Sequence, residues 1–163
     1  MGTRYFSNKI VKWYLENSRP LPWRHTTDAY NIWLSEVILH QTRVEQGLPY
    51  FLKFRDTYPT VEKLAAAEED EVMKLWQGLG YYSRARNLMA TAREVASTYN
   101  GRFPAEVRDL RKLKGIGPYT AAAIASFAFE KPEAVLDGNV FRVLARFFGI
   151  AAPIDSTRGK NTF

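Results

Sequence analysis

The chain has 163 residues and a net charge of +6, from 23 Lys and Arg against 17 Asp and Glu. Its 46% hydrophobic and 14% aromatic content predicts one domain, or one domain and part of another, with a substantial core. The lack of cysteine excludes disulfides and thiolate metal sites within these residues, and no apolar run approaches the ~20 residues that span a bilayer. With no signal-peptide pattern, these features predict a basic cytoplasmic domain whose charge favours an anionic partner.

Apolar residues follow helical spacing along nearly the whole chain, beginning with the stripe Phe6, Ile10, Trp13 and Tyr14. No segment shows sustained alternation of polar and apolar residues, so we predict an all-α fold of about nine short helices. Asp28 and Thr60 are predicted N-caps. The longest helix is predicted from about Ser83 to Tyr99, and Asn100-Gly101 ends it.

The helix predicted after Asp28 contains a single acid, Glu36, within the apolar run WLSEVILHQT at Trp33–Thr42. A carboxyl group there is either a solvated residue on the outer face or a proton donor whose pKa is raised by burial. The helical position of Glu36 says little about which applies. Taken alone, it favours the solvated alternative.

Residues 76–86 (WQGLGYYSRAR) bring glycines, two tyrosines and two arginines to a helix start. Such a loop either presents an aromatic wedge to nucleic acid or forms a tight turn whose tyrosines pack in the core. Arg19, Arg24 and Lys114 are expected to add to a basic rim.

The run LRKLKGIGPYTAAAIASFA at Leu110–Ala128 predicts two helices joined by a tight turn. The first helix is expected to end near Leu113 and the second to begin near Pro118, with Ile116 pointing inward between two glycines. Exposed N–H groups at the second helix start form an anion site, suited to a phosphate. The alternative is an ordinary corner between helices, although the Ala- and Ser-rich second helix favours the phosphate site.

Asp137 precedes Gly138 at the predicted start of another apolar helix. This position is typical of an N-cap, but it also suits a carboxylate held beside a developing cation in a cleft. Asn139 either bonds that carboxylate or caps the helix itself. Further on, residues 154–160 predict a loop leading into another helix, so we expect the chain to be a fragment, with a short frayed tail as the alternative.

Five runs follow one another in a specific order: LPWR at Leu21–Arg24, WLSEVILHQTRV at Trp33–Val44, GLGYYSRARNL at Gly78–Leu88, LKGIGPYTAAAI at Leu113–Ile124 and VLDGNVFRVLAR at Val135–Arg146. Together they resemble adenine DNA glycosylases of the MutY type, within the helix-hairpin-helix glycosylase superfamily. The resemblance implies a two-lobed all-α fold with the active-site cleft between the lobes. Residues 26–130 would form a six-helix barrel with the hairpin, and residues 1–25 and 131–163 part of an incomplete second lobe.

The resemblance also implies a monomeric base excision repair enzyme, which flips out and removes adenine mispaired with 8-oxoguanine or guanine in duplex DNA. By that likeness Glu36 is the general acid that protonates adenine N7. Asp137 stabilises the oxocarbenium-like sugar, with Asn139 and Tyr119 beside it. Enzymes resembling endonuclease III carry a lysine nucleophile in place of Tyr119, so we predict a monofunctional glycosylase that leaves an abasic site. An endonuclease III-like glycosylase/lyase and a non-catalytic helix-hairpin-helix DNA-binding module are the alternatives.

The same likeness predicts which residues contact DNA. Arg19 matches a residue of the nucleotide pocket, and Gln41 and Tyr81 match residues that insert into the duplex around the lesion. Val44 and Leu79 flank them. The other predicted DNA-binding residues lie in the same motifs: Arg24, Thr42, Tyr82, Arg84, Lys114, Gly115 and Gly117.

Three departures from the family pattern are visible. His40 stands where the family usually has glutamine, which we interpret as a tolerated polar exchange. The four-cysteine loop and the C-terminal domain that helps to read 8-oxoguanine lie, in the family, beyond the end of this chain. Without cysteine the chain binds no iron–sulfur cluster, and a [4Fe-4S] cluster is expected in the full-length protein. In a bacterium the protein is expected to associate with the nucleoid, and the incomplete second lobe is expected to weaken the fragment.

Overall fold

The computed structural model describes residues 2–162, except for the side chains of residues 158, 160 and 161. The all-α prediction is confirmed, since this part of the chain contains helices and no strand. Ten α-helices were found where about nine were expected. They are α1 Thr3–Asn17, α2 Ala29–Leu39, α3 Val44–Thr57, α4 Val61–Ala65, α5 Glu69–Trp76, α6 Ser83–Thr98, α7 Val107–Leu110, α8 Pro118–Phe129, α9 Gly138–Phe148 and α10 Thr157–Thr162, with a 3₁₀ turn at Pro22–Arg24.

The chain divides into two compact units. The central unit is the continuous segment Thr26–Ala134, which holds α2 to α8. The terminal unit joins residues 1–25 to residues 135–163 and holds α1, the 3₁₀ turn, α9 and α10.

The core of the central unit forms where α2 meets α3, α6 and α8. The α2 side chains Trp33, Leu34 and Ile38 are almost completely buried, and five consecutive residues of α8, Ala121–Ala125, are buried as well. Alanines at a helix contact permit a short interaxial distance, because that distance depends on the side chains at the contact. The small-residue stripe of α8 therefore lets the bulky α2 pack closely against it.

Several helix boundaries follow from local chemistry that the sequence predicts correctly. The Asp28 carboxylate accepts hydrogen bonds from the backbone N–H groups of Tyr30 and Asn31, and the Thr60 hydroxyl accepts one from Lys63. Helix α6 begins at Ser83 and ends at Thr98, followed by left-handed Asn100 and Gly101 with φ of 51° and 77°. These caps satisfy backbone groups that a helix end leaves without partners.

The helix before the Gly115–Gly117 turn ends earlier than predicted. Helix α7 ends at Leu110, not near Leu113. The N–H of Lys112 donates to the Asp109 carbonyl and that of Leu113 to the Leu110 carbonyl. These bonds span three residues instead of four, so the chain tightens into successive turns before the hairpin.

The terminal unit is held by aromatic contacts between α1 and α9. The ring centroid of Phe6 lies 4.7 Å from that of Phe147 and 5.3 Å from that of Phe148. Neither α1 nor α9 contains a buried residue, and Trp13 of the predicted apolar stripe is 60% exposed. No helix in the described part of the chain is long and apolar enough to cross a membrane.

Candidate active site and nucleic-acid interface

A cavity of about 740 Å³ lies within the central unit. Trp33, Glu36 and Val37 of α2, which are neighbours on the helix surface, line it together with His40, the C-cap of that helix. Helix α6 contributes Arg84, Asn87 and Leu88, and the hairpin contributes residues 111–120. The cavity therefore brings together Glu36 of α2 and Gly115 of the glycine-rich turn, which are 79 positions apart in the chain.

Glu36 is the acid of this cavity, and its surroundings differ from those of a solvated surface residue. Its side chain is half-buried on α2, and the nearby α2 residues Trp33, Ser35 and Ile38 are buried. Burial raises the pKa of the Glu36 carboxyl from 4.5 to about 7. A carboxyl group of that pKa is substantially protonated at neutral pH and can give its proton to a bound base.

The hairpin is fixed from behind by α6. The Thr91 hydroxyl donates a hydrogen bond of 2.6 Å to the Lys114 carbonyl, and Ile116 is 5% exposed, pointing inward as predicted. Gly115 has a φ of +79°, and a Cβ there would lie 2.8 Å from the Cβ of Asn87. Both its backbone conformation and its packing against α6 therefore require glycine.

Gly117 differs from Gly115, because nothing in its conformation requires glycine. It is the N-cap of α8 with φ of −83°, and a Cβ built on it would meet no atom within 4 Å. Pro118 is the first residue of α8, as predicted, and the first N–H groups of the helix lie at the cavity. The open space before this helix start is suited to the close approach of an anion such as phosphate.

Basic side chains surround the hairpin. Lys114 and Arg111 are exposed at the cavity, and Lys112 pairs with Asp109 at 2.7 Å. The pairing raises the pKa of Lys112 and lowers that of Asp109. In the described part of the chain, no group of three or more His, Asp or Glu side chains could hold a metal ion. The cavity therefore offers an acid, an anion site and cations.

The loop after α5 is braced by side chains that bind its backbone. Four consecutive carbonyl groups, from Gln77 to Gly80, each accept a side-chain hydrogen bond. The donors are Tyr50 at 2.8 Å, Gln46 at 3.4 Å, Arg84 at 3.1 Å and Trp76 at 2.9 Å, in that order. The exposed Tyr81 follows directly, with 67% of its surface accessible. These hydrogen bonds hold the backbone of residues 77–80, directly before the exposed Tyr81 side chain.

Two exposed residues near the cavity have left-handed backbone conformations. Gln41 has a φ of 61° and Tyr81 a φ of 47°. A non-glycine residue in this region costs about 1–3 kcal/mol and persists where its surroundings determine it. The two residues predicted to insert into a duplex therefore share an uncommon backbone conformation.

Arg84 contacts both of these strained segments. One terminal nitrogen, Nη1, donates to the carbonyls of Val37, Ile38 and His40, at 3.1, 3.0 and 2.6 Å, and to the Thr42 hydroxyl at 3.3 Å. The other, Nη2, donates to the carbonyls of Leu79 and Gly80 at 3.1 and 3.5 Å. Burial lowers the pKa of Arg84. The two N–H groups of each terminal nitrogen are shared among these acceptors, and a hydrogen bond from a charged group contributes about 1.5–3 kcal/mol, so the guanidinium connects the two segments.

In the terminal unit, Asp137 is the N-cap of α9. Its Oδ1 accepts hydrogen bonds from the N–H groups of Asn139 and Val140, at 3.0 and 2.8 Å, and its Oδ2 accepts one from the Asn139 amide at 3.2 Å. The N-cap alternative is thereby confirmed, and Asn139 bonds the carboxylate as one prediction had it. The three hydrogen bonds fix the direction of the carboxylate.

Two further predicted residues lie in the terminal unit, at the 3₁₀ turn and just before it. Arg19 and Arg24 are both exposed. The Arg24 guanidinium lies 5.5 Å from the centre of the Tyr14 ring and donates to the Arg19 carbonyl at 3.4 Å. The turn therefore holds one of these cations in place above an aromatic ring.

Of the twelve site residues predicted in the central unit, six line one cavity. Those that line the cavity are Glu36, Arg84, Lys114, Gly115, Gly117 and Tyr119. Five others, which we call the rim, are exposed or half-buried and lie outside that lining: Gln41, Thr42, Val44, Tyr81 and Tyr82. Leu79, which was predicted to flank the inserting residues, is 6% exposed, and its carbonyl accepts a hydrogen bond from Arg84.

Asn87 and Arg111 also line the cavity, although the sequence did not single them out. Asn87 follows Arg84 by three positions on α6, so helical spacing would have placed both on one face. Arg111 belongs to the basic run before the hairpin, where no pattern separates a cavity-lining cation from a solvated one. Thr91 was missed for another reason, since its partner is a backbone carbonyl 23 positions away.

Comparison with known proteins agrees with this geometry. Residues 34–159 match the family model of HhH-GPD superfamily base excision DNA repair proteins. The chain is 42% identical over 151 residues to an adenine DNA glycosylase of Buchnera aphidicola, and 42% identical over 161 residues to an adenine DNA glycosylase of Homo sapiens. These alignments cover 92% and 93% of the chain but 43% and 30% of the relatives. The chain therefore spans less than half the length of the relatives it matches.

Solved structures share the fold. A thermostable thymine-DNA glycosylase superposes with a TM-score of 0.84 and 33% identity, over 90% of this chain and 68% of that one. An endonuclease III–DNA complex superposes with a TM-score of 0.78 and 22% identity, over 94% of this chain and 70% of that one. The superfamily expected from the motifs is confirmed: the chain belongs to the HhH-GPD superfamily of base excision DNA repair proteins.

Proposed function

We propose that this protein is a monofunctional DNA glycosylase, which hydrolyses the N-glycosidic bond of adenine mispaired with 8-oxoguanine or guanine in duplex DNA. The observation that carries the proposal is Glu36, a half-buried acid on the cavity wall whose pKa is raised to about 7. The identity of about 40% with adenine DNA glycosylases supports adenine as the base removed. The adenine must leave the base stack to reach such a cavity.

Glu36 acts as the general acid. Its carboxyl gives a proton to adenine N7, and the C1′–N9 bond breaks with its electron pair moving onto the base. Adenine then leaves as a neutral molecule instead of an anion. General acid catalysis of this kind contributes about 10²–10⁴-fold to a rate.

Asp137 acts as the carboxylate that stabilises positive charge on the sugar. As C1′–N9 breaks, the deoxyribose becomes oxocarbenium-like, and an ionised carboxylate lowers the free energy of that state. The hydrogen bonds from Asn139 support the role by fixing the carboxylate's direction. Water then adds to C1′ and its proton goes to solvent, which leaves an abasic site.

Tyr119 distinguishes hydrolysis from strand cleavage. A lyase needs an amine that forms a Schiff base with C1′, and a phenol cannot form one. Tyr119 is 42% exposed and lines the cavity next to the α8 start, which supports a proposed contact with the flipped nucleotide. We therefore propose a product strand that stays intact until it is treated with alkali.

The DNA surface is proposed to have two parts in the central unit. The hairpin, with Lys114, Gly115 and Gly117, binds a backbone phosphate without reading sequence. The rim inserts Gln41 and Tyr81 into the duplex around the flipped adenine, with Thr42, Val44 and Tyr82 beside them. In the terminal unit, Arg19 and Arg24 add cationic contacts to the nucleotide strand.

The larger organisation is also a proposal. Residues 26–130 are proposed to be the six-helix barrel, with residues 1–25 and 131–163 as part of a second lobe, in a protein that acts on chromosomal DNA as a monomer. A [4Fe-4S] cluster does not fit the residues present, because the chain has no cysteine. The thiolates of a cluster in the full-length protein would come from outside these 163 residues.

One assay tests the proposal against its alternatives. The intact protein is incubated with a labelled duplex that contains adenine opposite 8-oxoguanine, and half of each sample is then heated in alkali. Strand cleavage only after alkali is expected. Cleavage without alkali would indicate a glycosylase/lyase, and no cleavage under either condition would indicate a non-catalytic DNA-binding module. A duplex with thymine opposite adenine is the control substrate, and it should stay intact.

A further inference from the structure

We propose that Arg84 is a positioning residue, whose guanidinium holds Gln41 and Tyr81 together as one preformed wedge. The inference rests on the proposed function, since it takes these two side chains as the ones that enter the duplex. It goes beyond that function because it has Arg84 bind groups of the protein itself and not a DNA phosphate.

The hydrogen bonds of Arg84 fall on either side of the strained residues. Its Nη1 binds the carbonyl of His40 and the hydroxyl of Thr42, which precede and follow Gln41. Its Nη2 binds the carbonyl of Gly80, directly before Tyr81. A single rigid group therefore connects both segments at their left-handed residues.

Two aromatic rings also contact the Arg84 guanidinium. The guanidinium carbon lies 5.1 Å from the centre of the Trp76 ring and 5.8 Å from that of the Tyr81 ring. Trp76 is completely buried, and its indole N–H donates to the Gly80 carbonyl at 2.9 Å. Tyr81 is therefore linked to the core through Arg84, although its own side chain is exposed.

The geometry requires arginine and not merely a positive charge. The two terminal nitrogens contact six acceptors that come from two separate segments. A planar fork can bond in two directions at once, whereas a lysine ammonium is a single point on a flexible stem. With both terminal nitrogens committed to the protein, the guanidinium has little left to offer a DNA phosphate.

The predicted consequence concerns excision more than binding. A wedge whose two parts are held in place needs no ordering when DNA binds, and misplacing a substrate by about 1 Å costs on the order of 100-fold in rate. Loss of the Arg84 hydrogen bonds should therefore slow base removal, while phosphate contacts elsewhere maintain the affinity for duplex DNA.

The test compares Arg84→Lys with Arg86→Lys in the intact protein. Both arginines lie in the first turn of α6 and both changes keep the charge, but Arg86 is exposed. For Arg84→Lys we expect single-turnover excision to fall by about 10–100-fold, with the Kd for undamaged duplex changed by less than about 3-fold. Arg86→Lys should behave like the unmodified protein. A Kd that rises in step with the lost excision would mean a phosphate contact and would overturn the proposal.

Two further readouts separate positioning from general damage. In a double-mutant cycle, Arg84→Lys combined with Tyr81→Ala should be no slower than the slower single variant by more than about 2-fold, because both changes remove the same wedge. Fully additive losses would overturn the proposal. Hydrogen exchange of the segments 40–43 and 78–82 should be faster in Arg84→Lys than in Arg86→Lys, and unchanged exchange would also overturn it.

The exchange measurement needs no enzymatic activity, so it decides the role of Arg84 even where the proposed function fails. Should Arg84→Lys not fold, Thr42→Val removes one acceptor of the same guanidinium, at 3.3 Å, while keeping the side-chain volume. Faster exchange in the segment 40–43 of that variant supports the proposal, and exchange at the unmodified rate contradicts it.

Discussion

The central and terminal units carry their proposed catalytic carboxyl groups in different ways. Glu36 lies on α2, six of whose eleven residues are buried, and its pKa is raised because the surrounding helices exclude water. Asp137 lies at the start of α9, a helix with no buried residue, and its carboxylate accepts local hydrogen bonds from Asn139 and Val140. Burial by packed helices raises the pKa of Glu36, so that it can keep its proton near neutral pH. The direction of the Asp137 carboxylate is instead fixed by hydrogen bonds at a helix start.

The largest effect is expected at the packed site. Glu36→Gln keeps the shape of the side chain but removes the proton donor, so single-turnover excision should fall by about 10²–10⁴-fold. The affinity for mismatched duplex should stay nearly unchanged. The exposed Glu69→Gln, at the start of α5, is the matched control and should excise normally. Near-normal turnover of Glu36→Gln would refute the proposed acid.

The next effect separates the two roles of Asp137. Asparagine caps a helix about as well as aspartate but carries no charge, so Asp137→Asn should lower excision by about 100-fold and change the free energy of unfolding by less than about 0.5 kcal/mol. Asp28→Asn makes the same exchange at the N-cap of α2 and should keep full activity. If Asp137→Asn excised as well as Asp28→Asn, Asp137 would be an N-cap and nothing more.

A third prediction compares the packing of the two units. Leu34 of α2 is 0% exposed, so Leu34→Ala should lower the free energy of unfolding by about 2–5 kcal/mol in urea denaturation. Val143 of α9 is 44% exposed, and Val143→Ala should cost less than about 1 kcal/mol. Equal losses would show that the terminal unit depends on its own core as much as the central unit does.

The smallest effect is one of pH on stability. Because burial raises the pKa of Glu36 from 4.5 to about 7, the folded state binds its proton more tightly than the unfolded chain does. The free energy of unfolding should therefore fall as pH rises between those two values, by on the order of 1–3 kcal/mol. Glu36→Gln removes this loss, so the variant should be the more stable protein at pH 8 and no more stable at pH 4. A constant difference between the two proteins across that range would contradict the burial argument.

Local features of the fold were predictable from sequence, because the groups that determine them are neighbours in the chain. Asp28 and Thr60 cap helices through N–H groups two or three positions later. Asn100-Gly101 likewise ends α6 through adjacent backbone. Glu36 was different: α2 is apolar around its circumference, so periodicity could not say which side faces water, and only the packing of α2 against other helices raises that pKa.

The role of Arg84 was beyond the reach of sequence patterns for a related reason. Its partners are mainly backbone carbonyls, which every residue has, and those on α2 lie more than forty positions away. The burial of Leu79 was likewise not predictable, since a flanking position in a motif does not reveal that the side chain is buried. The motifs gave the superfamily, while the fold was needed to separate residues that face DNA from those that support them.

Helix α6 has a consequence for evolution by insertion and deletion. Arg84 holds the rim, Asn87 packs behind Gly115, and Thr91 holds the hairpin, all on one face of the helix. From Arg84 to Thr91 the helix rises about 10.5 Å. One residue inserted between them would turn one anchor about 100° away from the other. Insertions and deletions in α6 are therefore expected only outside the segment from Arg84 to Thr91.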